Sequence, residues 1–293
     1  MWDVPTALPV RGILTGLSLG SRLFLLALGL SLIFGVLDVL NFAHGALYMV
    51  GAYVTISAAT NLLGGFWLAV LAATLAVGVL GAVIEMGIIR RVYDRNQLDQ
   101  LILTFALVLI ISDLTRTAWG AGSYTMAQPE LLRFDVSVGG SPYPAYRLFI
   151  IVAGFVAMAA FWYVLQRTYL GQLVRATSND RDMAAMLGVD VPRLYTAVFF
   201  VGSALAGMGG ALAAPLQAVT PGMGDQVIID AFVVVVIGGL GSFVGAFVGA
   251  MILGLLRSTG VLVVSGAGLF LPFVAMILVL IFEPQGLFGG DVE

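Results

Sequence analysis

Polar and ionisable side chains are sparse in this 293-residue sequence, and two groupings of them could do chemistry. The larger is Arg167 to Arg193, RTYLGQLVRATSNDRDMAAMLGVDVPR, a polar island in an otherwise almost continuously apolar chain. A charged, helix-forming segment between two apolar runs is a surface offered to something in the aqueous phase. The smaller grouping is Asp38, Asn41 and His44, followed by Gly45. A polar side chain in hydrocarbon needs a hydrogen-bond partner, because leaving it unsatisfied costs several kcal/mol. Asn41 is expected to cap a helix beginning near Ala43. His44 either bonds a neighbouring span or lines a path with Asn41. Asp38 is the charge nearest the interruption, which makes it the candidate for a pathway residue or a structural counter-charge. No nucleophile or paired carboxylate is spaced to make His44 catalytic.

The remaining polar inventory excludes much. There is no cysteine, so disulfides, thiolate nucleophiles and Cys-based metal sites are ruled out. One histidine cannot build a His-rich metal cluster. All thirteen basic residues are Arg, and the net charge of −3 gives no sign of a nucleic-acid surface. No G-x-x-x-x-G-K-[ST] string occurs, so the chain cannot supply a phosphate-binding Walker lysine.

The elements that must position these residues are membrane spans. Hydrophobic residues make up 60% of the chain and charged ones 10%, against about a quarter charged in a soluble domain. The mean hydropathy is +1.07. Eight apolar segments are expected, at 13–40, 43–61, 65–90, 99–118, 146–166, 194–217, 227–256 and 261–283. Each is long enough to cross roughly 30 Å of hydrocarbon. The fold class is all-α, a polytopic helical membrane protein forming one transmembrane domain over 1–293. No cleavable signal peptide is expected, because the first residues lack a small-residue cleavage site.

Arginine placement orients the segments. The turn with Arg90, Arg91 and Arg95 and the island at 167–193 are separated by two spans, so they share a side. The positive-inside rule assigns that side to the cytoplasm. The 119–145 loop then faces outward, and its alternating FDVSVGGSPYPAY portion predicts a small hairpin around Gly139-Gly140. Two segments are interrupted: 13–61 at Asn41–Gly45, and 227–256 at Gly238, Gly239 and Gly241; each is either two half-helices meeting inside the membrane or a span followed by a turn at the surface. Broken helices in corresponding positions of two halves point to a substrate pathway, and these two breaks are the candidate pair for an inverted repeat.

Within the island, Ser178 is the expected N-cap, and Asn179, Asp180, Arg181 and Asp182 form a polar first turn. Met183, Met186 and Leu187 fall at i, i+3 and i+4, forming an apolar stripe. Gly188 is a natural stop, and Pro192 forbids continuation. The expectation is one short amphipathic helix, 178–188, with Arg175, Arg181 and Arg193 around its ends. Such a helix could lie on lipid headgroups or dock on a partner. Ala184, Ala185 and Gly188, small residues at its exposed centre, favour insertion into a partner's cleft.

Two small-residue ladders should let helices approach closely: Gly202, Ala206 and Gly210, and Gly241, Gly245 and Gly249. The charges inside apolar segments are Arg22, Asp38, Glu85, Asp113 and Asp230. Each costs about 2.5–3.5 kcal/mol at a span centre unless paired or wet. Asp113 is expected to pair with Arg116, Glu85 to reach Arg90, and Asp230 to sit near the start of its span.

The island and three further blocks resemble the branched-chain amino-acid ABC importer permeases. The family pattern G-x-x-x-R-A-x-x-x-D-x-x-x-A-x-x-x-G is matched by Gly171, Arg175, Ala176, Asp180, Ala184 and Gly188. The other blocks are Asn41–Gly45 with Tyr48, Met49 and Gly51; Val234–Ser242; and Glu283–Gly289. The resemblance covers residues 12–290 and looks closest to the shorter of two paired membrane subunits. It implies a second, homologous permease, two cytoplasmic ATPases carrying ATP and Mg, and an extracytoplasmic binding protein. It implies no cofactor on this chain and a location in the bacterial inner membrane. Arg175, Asp180, Arg181, Ala184, Ala185 and Gly188 would then couple to the ATPase. Ala46, the Arg91–Arg95 string and Glu283 depart from the family pattern, so the solute could be an amide, urea or another amino acid. The rival reading is a gradient-driven transporter or channel using Asp38, Glu85 or His44. An intramembrane enzyme finds no supporting motif.

Overall fold

The computed structural model describes residues 7–61, 64–138, 141–263 and 267–289. Their architecture is helical throughout, and six of the helices are long and apolar enough to cross a membrane. The chain opens with α1 (Ala7–Leu37), α2 (Ala43–Asn61), α3 (Phe66–Gly87), a 3-10 turn (Ile89–Val92) and α4 (Gln97–Trp119). After an outer loop come α5 (Ala145–Arg167), α6 (Tyr169–Asn179), α7 (Arg181–Met186) and α8 (Val191–Ala213). The chain closes with α9 (Met223–Gly238), α10 (Phe243–Val263) and α11 (Ala267–Phe282).

The outer loop carries the only strands among the described residues. β1 (Asp135–Val138) pairs antiparallel with β2 (Ser141–Pro144), with Val136 opposite Tyr143. These are the two arms of the expected hairpin; its Gly139-Gly140 tip lies outside the described residues. The 90–95 turn and the island do share a face, because Arg181 Nη2 meets Asp94 Oδ1 at 3.0 Å.

Helix pairing follows an inverted repeat. α1 packs on α10, and α8 packs on α3. α2 lies between α3 and α4, and α9 between α10 and α11. α1 and α8 run in opposite directions, so α1–α4 and α8–α11 are the same arrangement turned over in the membrane. α5 stands outside the repeat against α1, with Gly154 over Ser21.

This corrects the expected pairing of breaks. The counterpart of the 38–42 break is the 214–222 connection that follows α8, not Gly238–Gly241. In both places a span is followed by a short return into the protein and a shorter helix. The return is shielded: Val39, Asn41, Ala43 and Val219 are all buried. Irregular backbone at membrane depth is tolerated only where protein or water covers it. Here the Leu40 carbonyl accepts from Thr104 Oγ1 of α4 at 3.3 Å. The second return exchanges backbone hydrogen bonds between Val219 and Tyr124 of the outer loop. Gly238–Gly241 is instead an ordinary reversal between α9 and α10, with Gly239 and Gly241 at φ 103° and 82°.

Close approach of backbones sets the packing. A Cβ on Gly45 would collide with the Gly224 carbonyl, and one on Gly29 with the Gly202 carbonyl. These two crossings join α2 to α9 and α1 to α8. Gly210 lies against the backbone of Tyr48 and Ala52, and Ala206 is fully buried beside it on α8. Gly245 and Gly249 meet the backbone of Gly238 and Val234 on α9, and Gly241 meets Gly35 of α1.

Candidate functional site

The arginine-rich face is organised around one carboxylate. Glu85, in the last turn of α3, is fully buried. It accepts from Arg90 Nε and Nη2 at 3.0 Å each, from Tyr93 Oη at 2.9 Å and from Thr196 Oγ1 at 2.8 Å. A buried charge is tolerated when it is paired and its lone pairs are filled, and this one meets both conditions. The arrangement needs Arg90 to fold back, which the 3-10 turn after Gly87 allows. Arg90 Nη2 also donates to the Pro192 carbonyl at 3.3 Å. The α3 end and the α8 start are thereby fastened together. The Glu85 hydrogen bond holds the Arg90 guanidinium above its ordinary pKa. Burial, then the Glu85 charge, pushes the Tyr93 phenol up, so it remains a donor.

The island is two helices rather than one. α6 is amphipathic and capped by Thr168, whose Oγ1 accepts from Gly171 N at 3.2 Å. Asp180 is extended, at φ −154°, and breaks the segment. Its side chain, not that of Ser178, caps α7, accepting from Asp182 N and Met183 N at 3.0 and 2.9 Å. A carboxylate at a helix start satisfies free N–H groups and is attracted by the helix dipole, while Ser178 is engaged elsewhere. Ser178 falls in the last turn of α6 and donates to the Gly35 carbonyl of α1. Arg175 donates to the Leu165 carbonyl. Gly188, at φ 90°, follows the end of α7, and Asp190 caps α8 through Arg193 N at 3.2 Å.

Burial on α7 reverses part of the expectation. Ala184 is buried against its own chain, while Ala185 is exposed. The outward face belongs to the apolar stripe: Met183 is 51%, Met186 75% and Leu187 78% exposed. Beside it a cleft of about 310 Å³ is lined by Arg90, Tyr93, Asp94, Arg181, Ala185 and Tyr195 among others. The Asp94 hydrogen bond raises the Arg181 pKa, so this cation persists at any physiological pH.

Inside the membrane the structure departs further from expectation. Asn41 does not cap α2: its side-chain nitrogen and oxygen have no partner, and only its backbone carbonyl accepts, from His44 N at 3.2 Å. The side chain is fully buried. Both ring nitrogens of His44 lack a hydrogen-bond partner, with Nε2 wedged where α1 and α8 cross at Gly29. Asp38 is exposed and left-handed, at φ 54°, a conformation Asp tolerates better than most residues. It ends α1, with its N–H donating to Phe34 O at 2.8 Å, and has no ion-pair partner among the described residues. Asp113 and Arg116 are both exposed and form no ion pair there either.

Asp230 lies in the middle of α9 and pairs with Arg257 of α10 at 2.6 Å. Sequence reasoning missed Arg257 because the expected span ended one residue before it. It also missed Asp225, in the first turn of α9. α2 runs from Gly45 toward one face and α9 from Gly224 toward the other, so their touching starts lie inside the membrane. Asp225 and Gln226 are therefore exposed polar residues at membrane depth, beside exposed Ile229. No hydrogen bond or ion pair engages the Asp225 carboxylate among the described residues. A pattern search for charges at the edges of apolar runs would have found both residues.

The C-terminal block completes α9. Leu287 N and Phe288 N donate to the carbonyls of Ile237 and Gly238, each at 2.9 Å. The Val234–Ser242 and Glu283–Gly289 blocks are thus one structural unit.

An inverted helical repeat with broken helices at its centre, and a polar two-helix arm on its arginine-rich face, defines a membrane permease. The profile of the family described as branched-chain amino acid transport system, permease component, matches residues 12–281, and the chain belongs to that family. It is 31% identical to the high-affinity branched-chain amino acid transport system permease protein LivH of Escherichia coli (strain K12), over 94% of this chain and 93% of that protein. It is 29% identical to the corresponding permease BraD of Pseudomonas aeruginosa, over 96% and 95%. A more distant likeness, 27% identity over 65% of this chain and 60% of the relative, is to the ribose import permease RbsC of Escherichia coli. No solved structure matches the chain significantly. The protein is a multi-pass inner-membrane permease component of an ABC transport system, which works with ATPase and binding-protein partners.

Proposed function

We propose that this chain is one of two paired permease subunits importing branched-chain amino acids or related small polar solutes. Two cytoplasmic ATPases, carrying ATP and Mg, supply the free energy, and an extracytoplasmic binding protein delivers the solute. The observation that carries this reading is the exposed Met183, Met186 and Leu187 stripe on α7. An apolar stripe presented to water beside Arg and Asp side chains fits a partner's groove. Solute passes along the α9 face that exposes Asp225 and Gln226, with the second permease closing the other side. An acidic side chain at membrane depth is tolerated where it faces water or a partner. The relatives' names support the amino-acid class of solute.

The test is uptake by the assembled complex in liposomes, with and without ATP, alongside liposomes holding this chain alone. Uptake should need both ATP and the ATPases. Transport by the chain alone, driven by a gradient, would overturn the reading.

A further inference from the structure

The two helices of the arm are fastened to different parts of the permease. α6 is tied to the end of α1 through Ser178 and the Gly35 carbonyl. α7 is tied to the α3–α4 turn through Arg181 and Asp94, 3.0 Å apart. That turn is itself locked to α3 and α8 by Glu85, Arg90 and Thr196. α1 packs along α10, and α3 along α8, as the two most extensive helix pairings among the described residues. The extended Asp180 lies between the two attachments. The break at Asp180 gives the two helices different directions, and each is held by a different body.

We propose that Asp94 and Arg181 are positioning residues that make the α3–α8 pair, not the α1–α10 pair, the part driven when an ATPase moves α7. Glu85 is the anchor that carries the displacement from the turn into both helices. Arg181 and Asp94 are half or more exposed, so exchanging their charges disturbs no core. This inference rests on the ATPase-driven reading above.

The experiment uses the complete transporter in liposomes, measuring solute uptake and ATP hydrolysis on the same samples. Leucine serves as the probe solute. D94R and R181D each place like charges together, and each should lower solute moved per ATP by about fivefold, the scale of an ion pair worth about 1 kcal/mol. ATPase co-purification is measured on the same samples and the ratio is compared at equal ATPase occupancy, so that an effect of the exchanged charges on docking is removed from it. The double variant D94R/R181D should restore the ratio, which a role for either residue apart from the pair would not predict. Single variants with an unchanged ratio, or a double variant that fails to recover, would overturn the inference while leaving ATP-driven import intact. Absence of ATP-dependent uptake in the unsubstituted complex would sink the underlying reading instead.

Discussion

Arg257 on α10 reaches Asp230 in the middle of α9, its Nη1 2.6 Å from the carboxylate, inside the membrane. This contact and the Gly238–Gly245 and Val234–Gly249 approaches hold the reversal between the two helices closed. Removing Asp230 leaves the Arg257 cation, about a quarter exposed, without its counter-charge inside the membrane. Asp230→Ala should therefore destabilise the protein by about 3 kcal/mol. A paired D230L/R257M variant should recover most of it. Thermal unfolding in lipid nanodiscs reads both, and equal losses in the two variants would refute the pairing as the cause.

The C-terminal block docks through two glycines at positive φ, Gly239 and Gly286, whose backbones touch. A Cβ on Gly286 would press on Gly239 while straining its own backbone. Gly286→Ala should cost roughly 1–3 kcal/mol of local stability. Limited proteolysis should then release the end of the chain while leaving the helices intact.

On α7, the outward stripe and the buried Ala184 should respond oppositely. Met186→Glu and Leu187→Glu are surface changes, which usually alter stability by no more than about 0.5 kcal/mol. They should abolish co-purification of the ATPase and uptake without changing the unfolding temperature. Ala184→Leu should instead lower that temperature, because the site is already filled. The reverse pattern would mean that α7 docks by the face the structure shows buried.

Asp225 has no protein partner among the described residues, so its charge contributes nothing visible to packing. Asp225→Leu should leave stability unchanged or slightly raised and cut uptake at least about tenfold, a loss of about 1.4 kcal/mol in transport free energy. Measured KM and maximal rate for uptake, with unfolding temperature alongside, separate a pathway role from a structural one. Normal uptake would remove Asp225 from the path.

Local signals were legible wherever hydropathy alone decides the outcome. Runs of apolar residues located α3, α4 and α5 to within a few residues, because a helix is the structure that satisfies a backbone in lipid without help from elsewhere. The reversal at Gly238–Gly241 and the stop at Gly188 were likewise readable, since positive φ selects glycine. Capping was not: Ser178 and Asp180 are both good caps, and the choice rested on Ser178 being taken up by the end of α1.

Composition and pattern by themselves determined a polytopic helical membrane protein, its arginine-rich side, and a polar arm on that side. Tertiary structure decided which breaks correspond, that Glu85 gathers four donors, that Arg257 answers Asp230, and that Ala184 faces inward. The physical reason is range. Hydropathy and backbone preference act within a turn or two of helix. The partner of a buried charge and the occupant of a glycine's empty space come from segments beyond that range, 27 residues away for Arg257 from Asp230 and 111 for Thr196 from Glu85.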